Sequence, residues 1–240
     1  MKFLIEIAYD GSKFYGFQKL NDYNTVQKCL EEALSKINKS SVTIKGAGRT
    51  DRGVHANGQC VSFKLDINIS SNGLQRALNS LIEPYIYVKS VKIVDTDFHA
   101  RFNVKEKIYV YKINLGEYNP IMSDYIFQCK YKLDVEKMIE TSKYLLGVHN
   151  FRNFVSGYRN NYECIIYSID FKKESNVLNI VFKGKSFYRY MVRNMVGALI
   201  DVGRGKIDSL YVKEMLDNCE QKQAFTAPAC GLYLENIKYE

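Results

Sequence analysis

Hydrophobic and polar positions fall into two rhythms that succeed one another along the chain. Phe3, Ile5, Ile7 and Tyr9 interleave with Lys2, Leu4, Glu6 and Ala8, the period of two that predicts a strand with one buried face. Val26, Cys29, Leu30, Ala33, Leu34 and Ile37 then recur at helical spacing, with Asn24 as the expected cap and Gln27 in capping-box position. Two strands are predicted next, a short one over Ser41–Ile44 and another over Cys60–Leu65, where Val61, Phe63 and Leu65 share a face. A second helix opens at Ser71, runs through Leu74, Ala77, Leu78, Leu81 and Ile82, and is ended by Pro84. A strand over Ile86–Val94 completes the order β-α-β-β-α-β, the ferredoxin-like split unit.

The same order repeats. Ile108–Ile113 reads as a strand, and Asp134 caps a helix through Val135, Met138, Ile139, Leu145 and Leu146 that Gly147 stops. Cys164–Phe171 and Val177–Phe182 form a hairpin around Glu174-Ser175-Asn176. A helix over Tyr188–Val202, a shorter one over Ser209–Leu216 and a strand over Gly231–Tyr239 finish the chain. The expected class is therefore α+β, with two tandem ferredoxin-like halves at 1–104 and 105–240 whose antiparallel or mixed sheets meet at a central cleft. No Pro-, Ser- or Gly-rich linker separates them, which predicts rigid apposition.

Charge narrows the partners. Net charge is +8, a balance that favours a polyanion. The 25 lysines outnumber the nine arginines, yet Arg49, Arg52, Arg101, Arg189, Arg193 and Arg204 fall inside motif-like segments, where a fixed guanidinium fork suits carboxylate or phosphate. With 19 Tyr, 13 Phe and no Trp, the chain also has aromatic surface suited to unstacked bases. Cys29, Cys60, Cys129, Cys164, Cys219 and Cys230 are scattered without a C-x-x-C pair and read as reduced, mostly buried thiols of a cytoplasmic protein. Lys2 and Glu6 interrupt any signal-peptide core, and no apolar run is long enough to span a bilayer.

Candidate chemistry concentrates in Lys45–Gln59, where four glycines, one carboxylate, two arginines and a histidine lie between the second and third strands. Asp51 sits between Arg49 and Arg52, which favours its ionised form and suits a nucleophile or half of a structural ion pair. No Gly-Lys-Ser/Thr closes the segment, so it is not a P-loop. His55, His99 and His149 lack partners at zinc-like spacing, so no metal is expected.

Gly48-Arg49-Thr50-Asp51-Arg52-Gly53-Val54-His55-Ala56 resembles the active-site signature of the tRNA pseudouridine synthase A family, in which the aspartate is the nucleophile. Further segments carry the resemblance along nearly the whole chain. Asp10–Gln18 is similar to the family's first signature, with Phe17 where tryptophan is usual. Arg101-Phe102 and Tyr109-Val110-Tyr111 follow, with Lys107 where arginine is frequent; period two puts Lys107, Tyr109 and Tyr111 on one strand face. In Phe187–Gly197, Arg189 and Arg193 are four apart and expected on one helical face. Ala227–Leu234 is similar to the last signature, and Gly147–Phe151 to a further one in which Asp often replaces Asn150.

The resemblance implies a tRNA pseudouridine synthase acting on uridines on the 3′ side of the anticodon stem-loop, without cofactor and as a cytoplasmic homodimer. It implies catalytic roles for Asp51, Tyr109 and Arg193, with Arg193 pairing with the aspartate and Tyr109 stacking on the target base. Arg49, Arg52, His55, Arg101 and Arg189 would contact RNA, and Leu232 would line the uracil pocket. Attack at ribose C1′, attack at uracil C6 and elimination through a glycal all remain open. A rival reading is an RNA-binding module without chemistry in the same basic aromatic cleft, and a second is a nucleotide enzyme that cradles phosphate in the Gly-rich loop.

Overall fold

Phe3, Ile5, Ile7 and Tyr9 are buried along β1 (Lys2–Tyr9), and the intervening side chains are half-exposed, as the alternation requires. This is a computed structural model, and it describes residues 1–82, 84–218 and 225–239; Cys219 lies outside them. The chain is α+β and forms two compact units, Met1–Lys105 with Tyr233–Glu240, and Glu106–Leu232.

In the first unit, β1 lies between β3 (His55–Lys64) and β4 (Ile86–Ile93), antiparallel to both. β2 is only Lys45–Gly46 and pairs antiparallel with β3. The expected strand over Ser41–Ile44 is displaced to these two residues; Val42 and Ile44 are buried all the same. α1 (Val26–Asn38) is capped by Thr25, whose hydroxyl accepts from Lys28 N, and not by Asn24. Asn24 is otherwise engaged, since its Nδ2 donates to the Lys13 carbonyl and its Oδ1 accepts from Cys29. α2 (Ser71–Ile82) runs where expected, with Leu74, Leu78 and Ile82 inward.

The second unit opens on β5 (Glu106–Asn114), antiparallel to β9 (Val177–Gly184), which pairs in turn with β8 (Glu163–Glu174). Two short strands that the periodicity did not predict are added at the flanks. β6 (Phe127–Gln128) pairs with β5, and β7 (Gly147–Asn150) pairs with β8. α3 (Val135–Ser142) is capped by Asp134 as expected. α4 (Met191–Gly203) is buried over nearly all its length, and α5 (Ser209–Asp217) follows.

The last strand, β10 (Leu232–Lys238), departs from the expected division at 104 and 105. From Tyr233 onward it belongs to the first unit, because Tyr233 and Leu234 pair in parallel with His55 and Ala56 of β3. Among the described residues no helix is long and apolar enough to cross a membrane.

Candidate functional site

The Gly-rich segment is less loop than its composition suggests. His55–Gln59 already belongs to β3, which leaves Ala47–Val54 as the connection. Asp51 opens a four-residue turn in which Val54 N donates to the Asp51 carbonyl at 3.1 Å. Gly53 holds φ 80° at the third position, where a type II turn demands a positive φ. The turn is braced from two sides. Phe17 N donates to the Thr50 carbonyl at 3.1 Å, and Gln59 Nε2 donates to the Gly48 carbonyl at 3.0 Å.

Just before the aspartate, the buried Thr50 hydroxyl lies 2.8 Å from the Tyr9 hydroxyl. Burial pushes the Tyr9 phenol far up, so it keeps its proton beside Thr50. Asp51 itself is half-buried, and Arg49 and Arg52 on either side of it are exposed. The Arg52 guanidinium lies over the Tyr15 ring, 4.2 Å from its centroid, and the exposed Tyr23 ring leans on Tyr15 at 4.5 Å.

His55 is placed differently from the expected RNA contact. Its ring is buried, stacks on Tyr233 at 4.7 Å and accepts at Nδ1 from Gly11 N at 3.1 Å. That bond leaves Nδ1 without a proton, so the Asp10 carboxylate 3.4 Å away is a close neighbour and not an ion pair while the ring is neutral. In this position His55 ties the Asp10–Gly11 loop to β3. Arg101 is exposed, 5.9 Å from the Phe102 ring, which is 76% exposed and packs on His99 at 4.3 Å.

The remaining expected residues lie in the second unit. Lys107, Tyr109 and Tyr111 share a face of β5, and it is the buried face; Ile108 and Val110 are half-exposed. Tyr109 meets Phe187 edge-on at 5.1 Å. Tyr111 donates to the Pro228 carbonyl at 2.8 Å. Burial raises the Tyr111 phenol, and the Arg193 charge pulls it back to a lesser degree.

Arg189 and Arg193 do not share a helical face. Tyr190 takes the left-handed conformation at φ 62° and α4 starts only at Met191, so Arg189 stays outside the helix and exposed. Both guanidiniums nevertheless lie over the Tyr190 ring, at 5.1 and 4.8 Å. Arg193 is half-buried, and its Nε donates to the Ala227 carbonyl at 2.7 Å. Leu232 is buried at the start of β10.

Sequence reasoning missed the Tyr15–Tyr23 pair, the Tyr9–Thr50 bond and the Ala227 acceptor of Arg193. Only the second had a signal, since Tyr9 ends the inward series of β1 and Thr50 sits inside the signature. Among the described residues no group of three or more His, Cys, Asp or Glu is placed to hold a metal ion.

Comparison with known proteins covers almost the entire sequence. The family model described as "tRNA pseudouridine synthase" matches residues 6–103 and 141–240. The chain is 41% identical over 238 residues to tRNA pseudouridine synthase A of Mycoplasmoides gallisepticum, spanning 99% of this chain and 90% of that one. It is 40% identical over 243 residues to the enzyme of that name from Pseudothermotoga lettingae, and 38% over 239 residues to that from Finegoldia magna. These alignments cover 98% or more of each chain.

Proposed function

Because this chain belongs to the tRNA pseudouridine synthase family, we propose that it isomerises uridine to pseudouridine in tRNA with Asp51 as nucleophile. The target is a uridine on the 3′ side of the anticodon stem-loop. The observation that carries the assignment is the setting of Asp51. It is a half-exposed carboxylate on a turn fixed by Thr50, Gly48 and Val54, between two exposed arginines, inside the family's signature.

A nucleophile that must meet a sugar or base carbon needs a rigid backbone and an open side, and this turn supplies both. Arg49, Arg52, Arg101 and Arg189, all exposed, suit phosphate contacts that position the RNA. Tyr109 acts on the target base, Arg193 keeps the nucleophile ionised, and Leu232 lines the uracil pocket. His55 serves from within the fold, by holding the Asp10–Gly11 loop against β3. The strand order β4-β1-β3-β2 of the first unit and the succession β5-β9-β8 of the second support two tandem ferredoxin-like halves. The reaction rearranges atoms without oxidation or hydrolysis and draws on no cofactor, and the working form is a cytoplasmic homodimer.

Asp51→Asn tests the assignment. Turnover, read by mass spectrometry of pseudouridine in a tRNA transcript, should vanish. Affinity for the same transcript should stay within about tenfold, because phosphate contacts that carry most of the binding are untouched. Pseudouridine formed by pure Asp51→Asn protein would remove Asp51 from the nucleophile's place. A lost affinity would show that the residue serves the fold or the binding surface instead.

A further inference from the structure

Arg52 is the residue after the nucleophile, yet its guanidinium is not left to move in solvent. It is laid on the Tyr15 ring at 4.2 Å, and Tyr15 is steadied by Tyr23 at 4.5 Å. The two tyrosines come from a segment that the backbone holds firmly. Tyr15 N donates to the Asn24 carbonyl at 2.8 Å, Val26 N donates to Gly16 O at 3.3 Å, and Gln27 N donates to Phe17 O at 2.9 Å. The bond from Phe17 N to Thr50 O then locks this segment to the turn that carries Asp51.

All three side chains of the stack are exposed, with Tyr15 at 42% and Tyr23 at 46%. Stability alone does not account for this arrangement, since an exposed cation–π contact contributes little. What it does accomplish is to hold one guanidinium over an aromatic ring, beside the reacting carboxylate. A guanidinium plane backed by an aromatic ring presents a flat surface for a nucleobase and an edge of N–H donors for a phosphate.

We propose that Tyr23, Tyr15 and Arg52 form a stacking shelf for the unpaired RNA base next to the target uridine, with the Arg52 edge on that nucleotide's phosphate. The inference rests on the reading of this chain as a tRNA pseudouridine synthase with its site at Asp51. Its consequence is that Arg52 recognises shape as well as charge. When the target base leaves its stack, its neighbour loses a partner, and the shelf supplies a replacement surface. That lowers the cost of extrusion at the position where the enzyme needs it.

The test uses an unmodified tRNA transcript on which the wild-type protein forms pseudouridine, with affinity read by fluorescence anisotropy. Arg52→Lys keeps the charge and removes the plane; it should weaken binding by about tenfold, within the range for base stacking. Its salt dependence should match the wild type, because the counterions released are the same. Tyr15→Ala, which takes away the backing, should lose a similar factor, and the Arg52→Lys/Tyr15→Ala double variant should lose little more than either alone. Tyr15→Phe, which keeps the ring, should restore most of the affinity. Melting temperatures should be unaltered in all four, which separates a missing contact from a damaged fold. Arg52→Lys binding within twofold of wild type would overturn the shelf, and so would losses that multiply in the double variant. Wild-type protein with no turnover on any tRNA transcript would overturn the parent reading instead.

Discussion

The hydroxyls of Thr50 and Tyr9 bond to one another, and both residues are buried in the first unit beside Asp51. Tyr9→Phe removes one side of that pair and leaves a buried oxygen without its hydrogen bond, at a cost of about 1–3 kcal/mol. Denaturant melts should show that loss, and single-turnover rates on tRNA should fall as the backbone ahead of Asp51 loosens. Adding Thr50→Val, which removes the second partner at nearly constant shape, should recover much of the stability. A Tyr9→Phe protein as stable as wild type would mean that the bond does not anchor the turn. A second residue offers a test by pH. Burial raises the Cys60 thiol to about 11, with the Tyr239 hydroxyl pulling it down to a lesser extent. Being raised, it holds its proton through the neutral range, and its thiolate grows only as pH climbs toward 11. At pH 8 iodoacetamide should therefore modify Cys60 roughly a hundredfold more slowly in the native protein than in denaturant, where the thiol returns to its ordinary range. Equal rates would place Cys60 at the surface.

At the scale of elements, α4 owes its position to one small residue. A Cβ on Gly197 would overlap the Phe225 carbonyl oxygen, so the backbone of 225–227 passes directly over the helix. Ala227 N donates to the Arg193 carbonyl, and the Thr226 hydroxyl donates to Asn194 at 2.7 Å. The same segment carries the carbonyl that holds Arg193. Gly197→Ala must push it away, with an overpacking cost of about 3 kcal/mol. A lowered denaturation midpoint together with lost turnover is the expected result, and a wild-type midpoint would refute the close approach. Which parts of this were legible in the sequence follows from how local each cause is. β1 and α2 are fixed by period within a few residues and lie where the pattern puts them. α3 starts at its Asp134 cap but ends at Ser142, because a 3-10 turn over Lys143–Leu145 and then β7 take the residues that the period assigned to the helix. The cap of α1 passed to Thr25 because two adjacent residues could both serve, and distant contacts of Asn24 decided between them. The signature was readable as residues, but not the start of β3 at His55, which depends on pairing with Tyr233 far along the chain. Arg189 was misplaced because period alone cannot show that Tyr190 turns left-handed and delays the helix.

For the molecule as a whole, the basic balance matters more than any single contact, and it makes a prediction independent of the chemistry. Net charge is +8, and four of the exposed arginines, Arg49, Arg52, Arg101 and Arg189, are divided between both units. If each meets one phosphate, the logarithm of tRNA affinity should fall against the logarithm of salt concentration with a slope near −3, since each contact contributes about −0.7 to −0.9. Raising salt from about 50 to 200 mM would then weaken binding by roughly sixtyfold, and more if lysines join in. Replacing one of these arginines with glutamine should lower the slope by just under one unit whatever the tRNA sequence, because phosphates are common to all. Asp51→Asn should leave the slope where it is, because a carboxylate displaces no cation from the RNA. Filter binding across a salt series, run with wild type, Asp51→Asn and the four single variants, reads all of these at once. A flat wild-type slope would show that the surplus charge serves solubility and not RNA. A slope that changes only with Arg49, Arg52 and Arg101 would confine the RNA to the first unit and deprive Arg189 of its role.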